Sequence, residues 1–157
     1  ASSVDWLTSV GADITDIGQM AGASAYRTHR PTGGAAIGAH LVQTLRKAAA
    51  ERKLDVRVNS KVVKIIEDDR GRVIGALVEG KFSGPYTILA KAVVLTAGGF
   101  SANPERVAHY RPEFKGMTTS NQPGATGDGL DLGSEAGGNL IDMKEIQIHP
   151  TVEQQTS

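Results

Sequence analysis

A glycine pair follows an apolar run in residues 93–107 (VVLTAGGFSANPERV), and this placement could serve a ligand. Glycine has no Cβ, so the backbone at Gly98 and Gly99 can approach a flat or charged group closely. In open α/β folds, ligands bind at the carboxyl ends of buried strands, which is where this pair is predicted to lie. A tight turn that only ends the strand would use the same two glycines. Both interpretations stay open on the local pattern.

A second glycine-rich stretch, residues 30–45 (RPTGGAAIGAHLVQTL), leads into a predicted helix. The N–H groups and dipole at a helix N-terminus favour anions. The spacing matches neither GxGxxG nor the Walker A loop, and no strand is predicted before it. A flexible loop ending in a glycine N-cap is therefore the simpler interpretation of this stretch.

Two polar side chains lie beside such features. Asp128, within residues 121–133 (NQPGATGDGLDLG), could cap a helix by accepting its N–H bonds, or it could orient a ligand. EF-hand spacing does not fit, because the closing glutamate is missing. His149 precedes a proline at the end of a predicted strand, where an imidazole could pair with a carboxylate or have a purely structural role.

Composition excludes several classes of function. The 157 residues contain no cysteine, which excludes disulfides, zinc–thiolate sites, iron–sulfur ligation and c-type haem attachment in this chain. Lysine and arginine number 17, as do aspartate and glutamate, and no basic stripe favours nucleic-acid binding. No apolar run is long enough to span a membrane, and the first residues lack the pattern of a signal peptide. The remaining histidines show no pairing that suggests a metal site.

Hydrophobic periodicity predicts two helices in the first third of the chain. Ser3 caps a short helix over residues 3–10, and Gly11 ends it. A longer helix covers residues 34–53, and its apolar side chains recur at spacings of three and four. These side chains are Ile37, Leu41, Val42, Leu45, Ala48 and Ala49. The intervening residues 13–38 are predicted to be a long loop without strands.

The pattern then changes to that of a β-meander. Strands are predicted over residues 55–69 and 73–80, joined by a turn, and residues 85–99 carry a third strand into a fourth, apolar one. Asn103 is a predicted N-cap with Pro104 at the first helical position. A short helix over 128–138 and a final strand that ends near His149 complete an α/β (mixed α+β) fold.

Five stretches, in order, resemble the flavoprotein subunit of fumarate reductases, and most of all the soluble flavocytochrome c-like branch. They are ADITDIGQMAGASAYRTHRPTGG, GAHLVQTL, VVLTAGGFSANPERV, TSNQPGATGDGLDL and IQIHPT, and together they span nearly the whole chain. The resemblance implies a two-dinucleotide-binding flavoprotein with a mobile capping domain. FAD would be the cofactor, and its N5 would pass hydride to the double bond of fumarate.

The resemblance also assigns roles to individual residues. It implies that residues 1–145 are the second half of the FAD-binding domain, including the β-meander, and that residues 146–157 begin the capping domain. His149 resembles the histidine that holds a substrate carboxylate. The positions that it places beside FAD are Val62, on the adenine side, and Thr96, Ala97, Gly98, Gly99 and Asp128. The family pattern ATGG is TAGG here, which moves the hydroxyl by one position.

Two family elements are not found in these 157 residues: the GxGxxG strand–turn–helix, and the arginine that donates the proton. The chain is therefore expected to be an internal fragment without a catalytic residue, inactive alone. Fumarate or a similar unsaturated carboxylate is the expected substrate, and the electron donor stays open. The expected compartment is the cytoplasm, with the periplasm as an alternative for the parent protein. Other possible functions are urocanate or acrylate reduction, a 3-ketosteroid dehydrogenase-like activity and a non-catalytic binding module.

Overall fold

The computed structural model describes residues 2–20 and 22–148, and these described residues divide into two compact units between Val58 and Asn59. No helix in these described ranges is both long and apolar enough to cross a membrane. Each unit contains both helices and strands.

The first unit contains two helices and a β-hairpin. Helix α1 (Ser2–Ser9) ends before Gly11, whose φ of +98° lies in the left-handed region that favours glycine. Helix α2 (Ile37–Glu51) confirms the long predicted helix. Its apolar face is only partly covered among the described residues, with Ala48 buried but Val42 56% exposed.

The prediction that residues 13–38 contain no strand is wrong. Strands β1 (Asp16–Gly18) and β2 (Thr28–Arg30) pair antiparallel, with Ile17 opposite His29. Three-residue strands are too short to show an alternating apolar pattern, so periodicity does not detect them.

A polar network around Asp13 holds this hairpin in place. Its carboxylate accepts hydrogen bonds from the Thr32 N–H at 3.0 Å, the Thr32 hydroxyl at 3.1 Å and the Thr15 hydroxyl at 2.9 Å. Its own N–H donates to His40 Nε2 on α2 at 2.9 Å. The network therefore ties both ends of the hairpin to the long helix.

The second unit is built on an antiparallel sheet in the order β3-β4-β5. Its strands are β3 (Ser60–Glu67), β4 (Val73–Gly80) and β5 (Gly84–Leu89), which confirms the predicted meander. Val62 pairs with Val78, whose side chain is only 2% exposed. The turn before β4 is closed by the Asp68 carboxylate, which accepts the N–H groups of Arg70 and Arg72, each at 2.9 Å.

Three predicted strand regions are wrong. Residues 55–59 precede β3 and are not part of a strand. Residues 92–99 form no ladder with any described residue, and Val94 is 82% exposed. Residues 139–148 are irregular, with a turn closed by a bond from the Glu145 N–H to the Asp142 carbonyl. An apolar run becomes a strand only where neighbouring backbone satisfies its N–H and C=O groups, and residues 92–99 have no such ladder among the described residues.

Two short helices complete the second unit. Helix α3 (Pro104–Tyr110) starts as predicted, because the Asn103 side chain accepts the Arg106 N–H at 3.0 Å. Helix α4 (Asp128–Glu135) is closed by a bond from the Gly138 N–H to the Gly133 carbonyl at 2.8 Å. Helix α4 places Asp128 against Lys61 at the start of β3.

Candidate functional site

Three segments that are far apart in the sequence meet at the N-terminus of α4. The start of β3 reaches it through Lys61, whose Nζ lies 2.9 Å from the Asp128 Oδ2. Residues 95–97 run along one side of the helix. The structure therefore brings together two of the predicted cofactor residues, Ala97 and Asp128, and pairs Asp128 with Lys61, which directly precedes Val62 in β3.

Two glycines on α4 allow this close approach. A Cβ added at Gly129 would lie 2.9 Å from the Cβ of Ala97, and one at Gly133 would lie 3.4 Å from the Leu95 Cδ1. Residues four apart share a helix face, so the two glycines form one smooth surface. The extended segment lies against that surface, which fixes Ala97 relative to Asp128.

Asp128 does not cap its helix, so the capping interpretation is wrong. Gly127, with a φ of +92°, is the N-cap residue, and no side chain caps the helix. The Asp128 Oδ1 instead accepts a hydrogen bond from the Thr126 hydroxyl at 2.6 Å, while Oδ2 pairs with Lys61. The turn before α4 takes the left-handed geometry that glycine adopts freely, so the aspartate is displaced one position into the helix.

These neighbours keep Asp128 ionised. The Thr126 hydroxyl, and then Lys61, lower the pKa of the Asp128 carboxyl below its usual 3.8. The same contact raises the pKa of Lys61 above its usual 10.5. The Asp128 side chain is 43% exposed, so a charged carboxylate remains accessible to a hydrogen-bond donor from solvent or from a ligand.

The backbone at the glycine pair is open to a ligand. A Cβ added at Gly98 or Gly99 would meet nothing within 4 Å among the described residues, and Gly98 has a φ of +80°. Thr96 and Ala97 are also exposed. An uncovered glycine backbone next to a charged carboxylate fits a ligand that has both a flat apolar part and hydroxyl groups, as FAD has.

Arg106, which no sequence pattern singled out, forms hydrogen bonds with α4 and with the residue before it. The Arg106 Nη2 donates to both carboxylate oxygens of Asp131, at 2.7 and 2.8 Å, and its Nη1 donates to the Gly127 carbonyl at 3.1 Å. The Asn103 side chain also donates to the Thr126 carbonyl at 3.3 Å. Lys61 was missed as well, since nothing in the local sequence of either residue indicates its distant partner.

Val62 and His149 are the other two predicted site residues. Val62 lies in β3, partly buried, next to a bulge at Val63. His149 lies outside the described residues. No group of three His, Asp or Glu side chains in residues 2–20 and 22–148 is arranged to hold a metal ion.

Residues 2–156 match a protein family that is described as an FAD binding domain. The chain is 53% identical over 150 residues to the fumarate reductase (cytochrome) of Shewanella frigidimarina, which covers 96% of this chain and 26% of that protein. It is also 37% identical over 113 residues to the urocanate reductase of Eggerthella lenta, covering 71% of this chain and 19% of that protein.

Among solved structures, the open conformation of a flavocytochrome c3 fumarate reductase superposes with a TM-score of 0.82 at 48% identity. That match covers 87% of this chain and 24% of the other. The chain thus spans about a quarter of the length of the fumarate reductases that it matches.

Proposed function

The chain belongs to the FAD-binding domain family, and on that basis we propose that it forms part of the cofactor site of an FAD-dependent reductase of fumarate. FAD is the cofactor of this family. The reaction that we propose for the whole protein is the reduction of the fumarate double bond to give succinate. The fold matches that of a fumarate reductase, while substrate and roles of single residues are proposals.

One observation carries this proposal: the contact of the Ala97 segment with Gly129, directly beside the Lys61–Asp128 pair. It brings Ala97 close to Asp128, and the family resemblance assigns both residues to FAD. A chain that had kept only the fold would not need an ionised, accessible carboxylate beside an uncovered glycine backbone.

Each residue has a role that its chemistry supports. We assign the backbone of Gly98 and Gly99 to contact with the cofactor, and the Asp128 carboxylate to acceptance of a hydrogen bond from one of its hydroxyl groups. Val62 would flank the adenine. When bound, FAD supplies the hydride donor, the flavin N5.

His149 is proposed to bind a carboxylate of the substrate. An imidazole that donates a hydrogen bond to that carboxylate would orient the double bond for reaction. It would also stabilise the negative charge that develops on the substrate in the transition state. We assign no proton donor among the 157 residues. The division between a cofactor domain, residues 1–145, and a capping domain from residue 146 likewise stays a prediction.

The test uses the whole protein, loaded with FAD and supplied with reduced methyl viologen as an artificial electron donor. We expect fumarate to be reduced, and His149→Ala to raise KM and lower kcat, together about a hundredfold in kcat/KM. His109→Ala, an exposed histidine on α3, is the matched control and should leave both constants unchanged.

The substrate is tested in the same assay with fumarate, urocanate, acrylate and a 3-ketosteroid that has a conjugated carbon–carbon double bond. Urocanate is the second candidate, because the chain is similar to a urocanate reductase. Oxidation of the viologen by urocanate but not by fumarate would replace fumarate in the proposal. An unchanged kcat and KM in His149→Ala would contradict the proposal that His149 binds a carboxylate of the substrate.

A further inference from the structure

We infer that Lys61 is a positioning residue of the cofactor site, which holds the Asp128 carboxylate in place and balances its charge so that it can serve FAD. This inference rests on the proposed function. It assigns a role to a side chain that neither the sequence patterns nor the family resemblance singles out.

The first argument is the geometry of the carboxylate. The Thr126 hydroxyl occupies one oxygen at 2.6 Å and the Lys61 ammonium the other at 2.9 Å. A carboxylate offers about four lone-pair positions, so two contacts fix its orientation and leave positions for a ligand hydroxyl. Without Lys61, Oδ2 would lose its charged donor and the side chain its fixed rotamer.

The second argument is charge. Asp128 faces Lys61 from β3 and Arg106 from α3, while Asp131 lies on its own helix. Arg106 is committed to both oxygens of Asp131. Lys61 is therefore the cation in direct contact with the Asp128 carboxylate, although it also lies opposite Glu79 of β4 in the sheet.

This balance matters because FAD carries a negatively charged diphosphate. An unbalanced carboxylate beside the cofactor would repel it, whereas an ion pair presents a nearly neutral acceptor. Lys61 thus allows Asp128 to accept from the cofactor without repelling it.

The test measures FAD affinity by flavin fluorescence in the whole protein. We compare Lys61→Gln, Lys61→Arg, Asp128→Asn and the double variant, with Lys64→Gln as control, an exposed lysine on the same strand. Lys61→Gln should weaken FAD binding about fivefold, Lys61→Arg should restore it, and Lys64→Gln should have no effect. If Lys61 acts only through Asp128, the double variant should bind FAD as Asp128→Asn does.

Carboxyl NMR of Asp128, combined with the pH dependence of FAD affinity, supplies a readout that a purely structural role would not change, because only a positioning role shifts the two together. Loss of Lys61 removes one cause of the lowered pKa of Asp128, so that pKa should rise in Lys61→Gln. On acidification, FAD affinity should then be lost at a higher pH in this variant than in the wild type. Lys61→Arg should keep the wild-type profile.

The outcomes separate the inference from the proposed function. If the wild-type protein binds FAD but Lys61→Gln leaves the FAD affinity unchanged, the inference is wrong whatever happens to the Asp128 pKa, and the proposed function stands. Additive losses in the double variant would show that Lys61 contacts FAD itself, which overturns its positioning role. A wild-type protein that binds no FAD would overturn the proposed function.

Discussion

At the first turn of α4, a glycine decides where the cofactor segment lies. A Cβ at Gly129 would be 2.9 Å from the Ala97 Cβ, closer than real Cβ atoms approach one another, and Ala97 has no flexible side chain with which to yield. Residues 96–99 and the helix would have to move apart. The residue type at position 129 therefore controls a contact that the site depends on.

Gly129→Ala should destabilise the whole protein by about 1–3 kcal/mol, because overpacking forces the backbone to shift. It should also weaken FAD binding, since the shift changes the distance between the glycine pair and Asp128. Urea unfolding and flavin fluorescence measure the two effects.

Gly133→Ala is the matched control, because its Cβ would lie at an ordinary 3.4 Å from Leu95 on the same helix face. It should change the free energy of unfolding by less than about 1 kcal/mol. Equal effects of the two substitutions would contradict the importance of the Ala97 contact.

At this scale the sequence predicts local chemistry and misses distant pairing. The Asn103 cap is confirmed because an N-cap bonds within three residues. Asp128 was judged by the same local rule, and its capping role is wrong because Gly127 takes that position. The Lys61 and Arg106 contacts depend on the tertiary fold, so no spacing rule could have indicated them.

Among the elements, the meander and the long helix follow from periodicity, whereas the predicted strand over residues 92–99 does not form. β4 (Val73–Gly80) occupies the predicted range, because each of its neighbours is close in the sequence. The apolar residues 92–99 were predicted as a buried strand but have no ladder partner in the part of the chain that the structure describes. The apolar composition of a segment predicts that the segment is buried, but it does not identify the residues that bury it.

Hydrogen exchange tests what covers that segment. In the whole protein we expect the amides of residues 93–97 to be protected at least about a hundredfold, because a buried apolar strand must satisfy its backbone groups. In the 157-residue chain alone the same amides should exchange rapidly, while β3, β4 and β5 stay protected in both. Rapid exchange of residues 93–97 in the whole protein would show that the segment is not a strand there.

On the scale of the whole molecule, the order of five motifs predicted the family and its cofactor, although no single motif did. The fold and the FAD-binding family are confirmed by the comparisons. The roles of the site residues stay predictions, and His149 lies outside the described residues. Motif order identifies ancestry because several independent matches coincide, whereas a contact to a ligand depends on atoms that this chain does not contain.

The chain of 157 residues, without the rest of the protein, should bind FAD only weakly. It spans about a quarter of the length of the Shewanella frigidimarina fumarate reductase, and the apolar face of α2 is only partly covered among the described residues. The chain has no GxGxxG turn, whose backbone N–H groups would bind the FAD diphosphate. We therefore expect it to bind FAD at least about tenfold more weakly than the whole protein does, because even one lost charged hydrogen bond has that effect.

The same chain should not oxidise reduced viologen in the presence of fumarate. Fluorescence titration with FAD, followed by the viologen assay at saturating FAD, measures both properties, and the whole protein is the positive control. Amide shifts confined to residues 96–100 and Asp128 would locate a residual cofactor site in the chain. Fumarate-dependent turnover by the chain alone would contradict the expectation, because it would require a proton donor within these 157 residues.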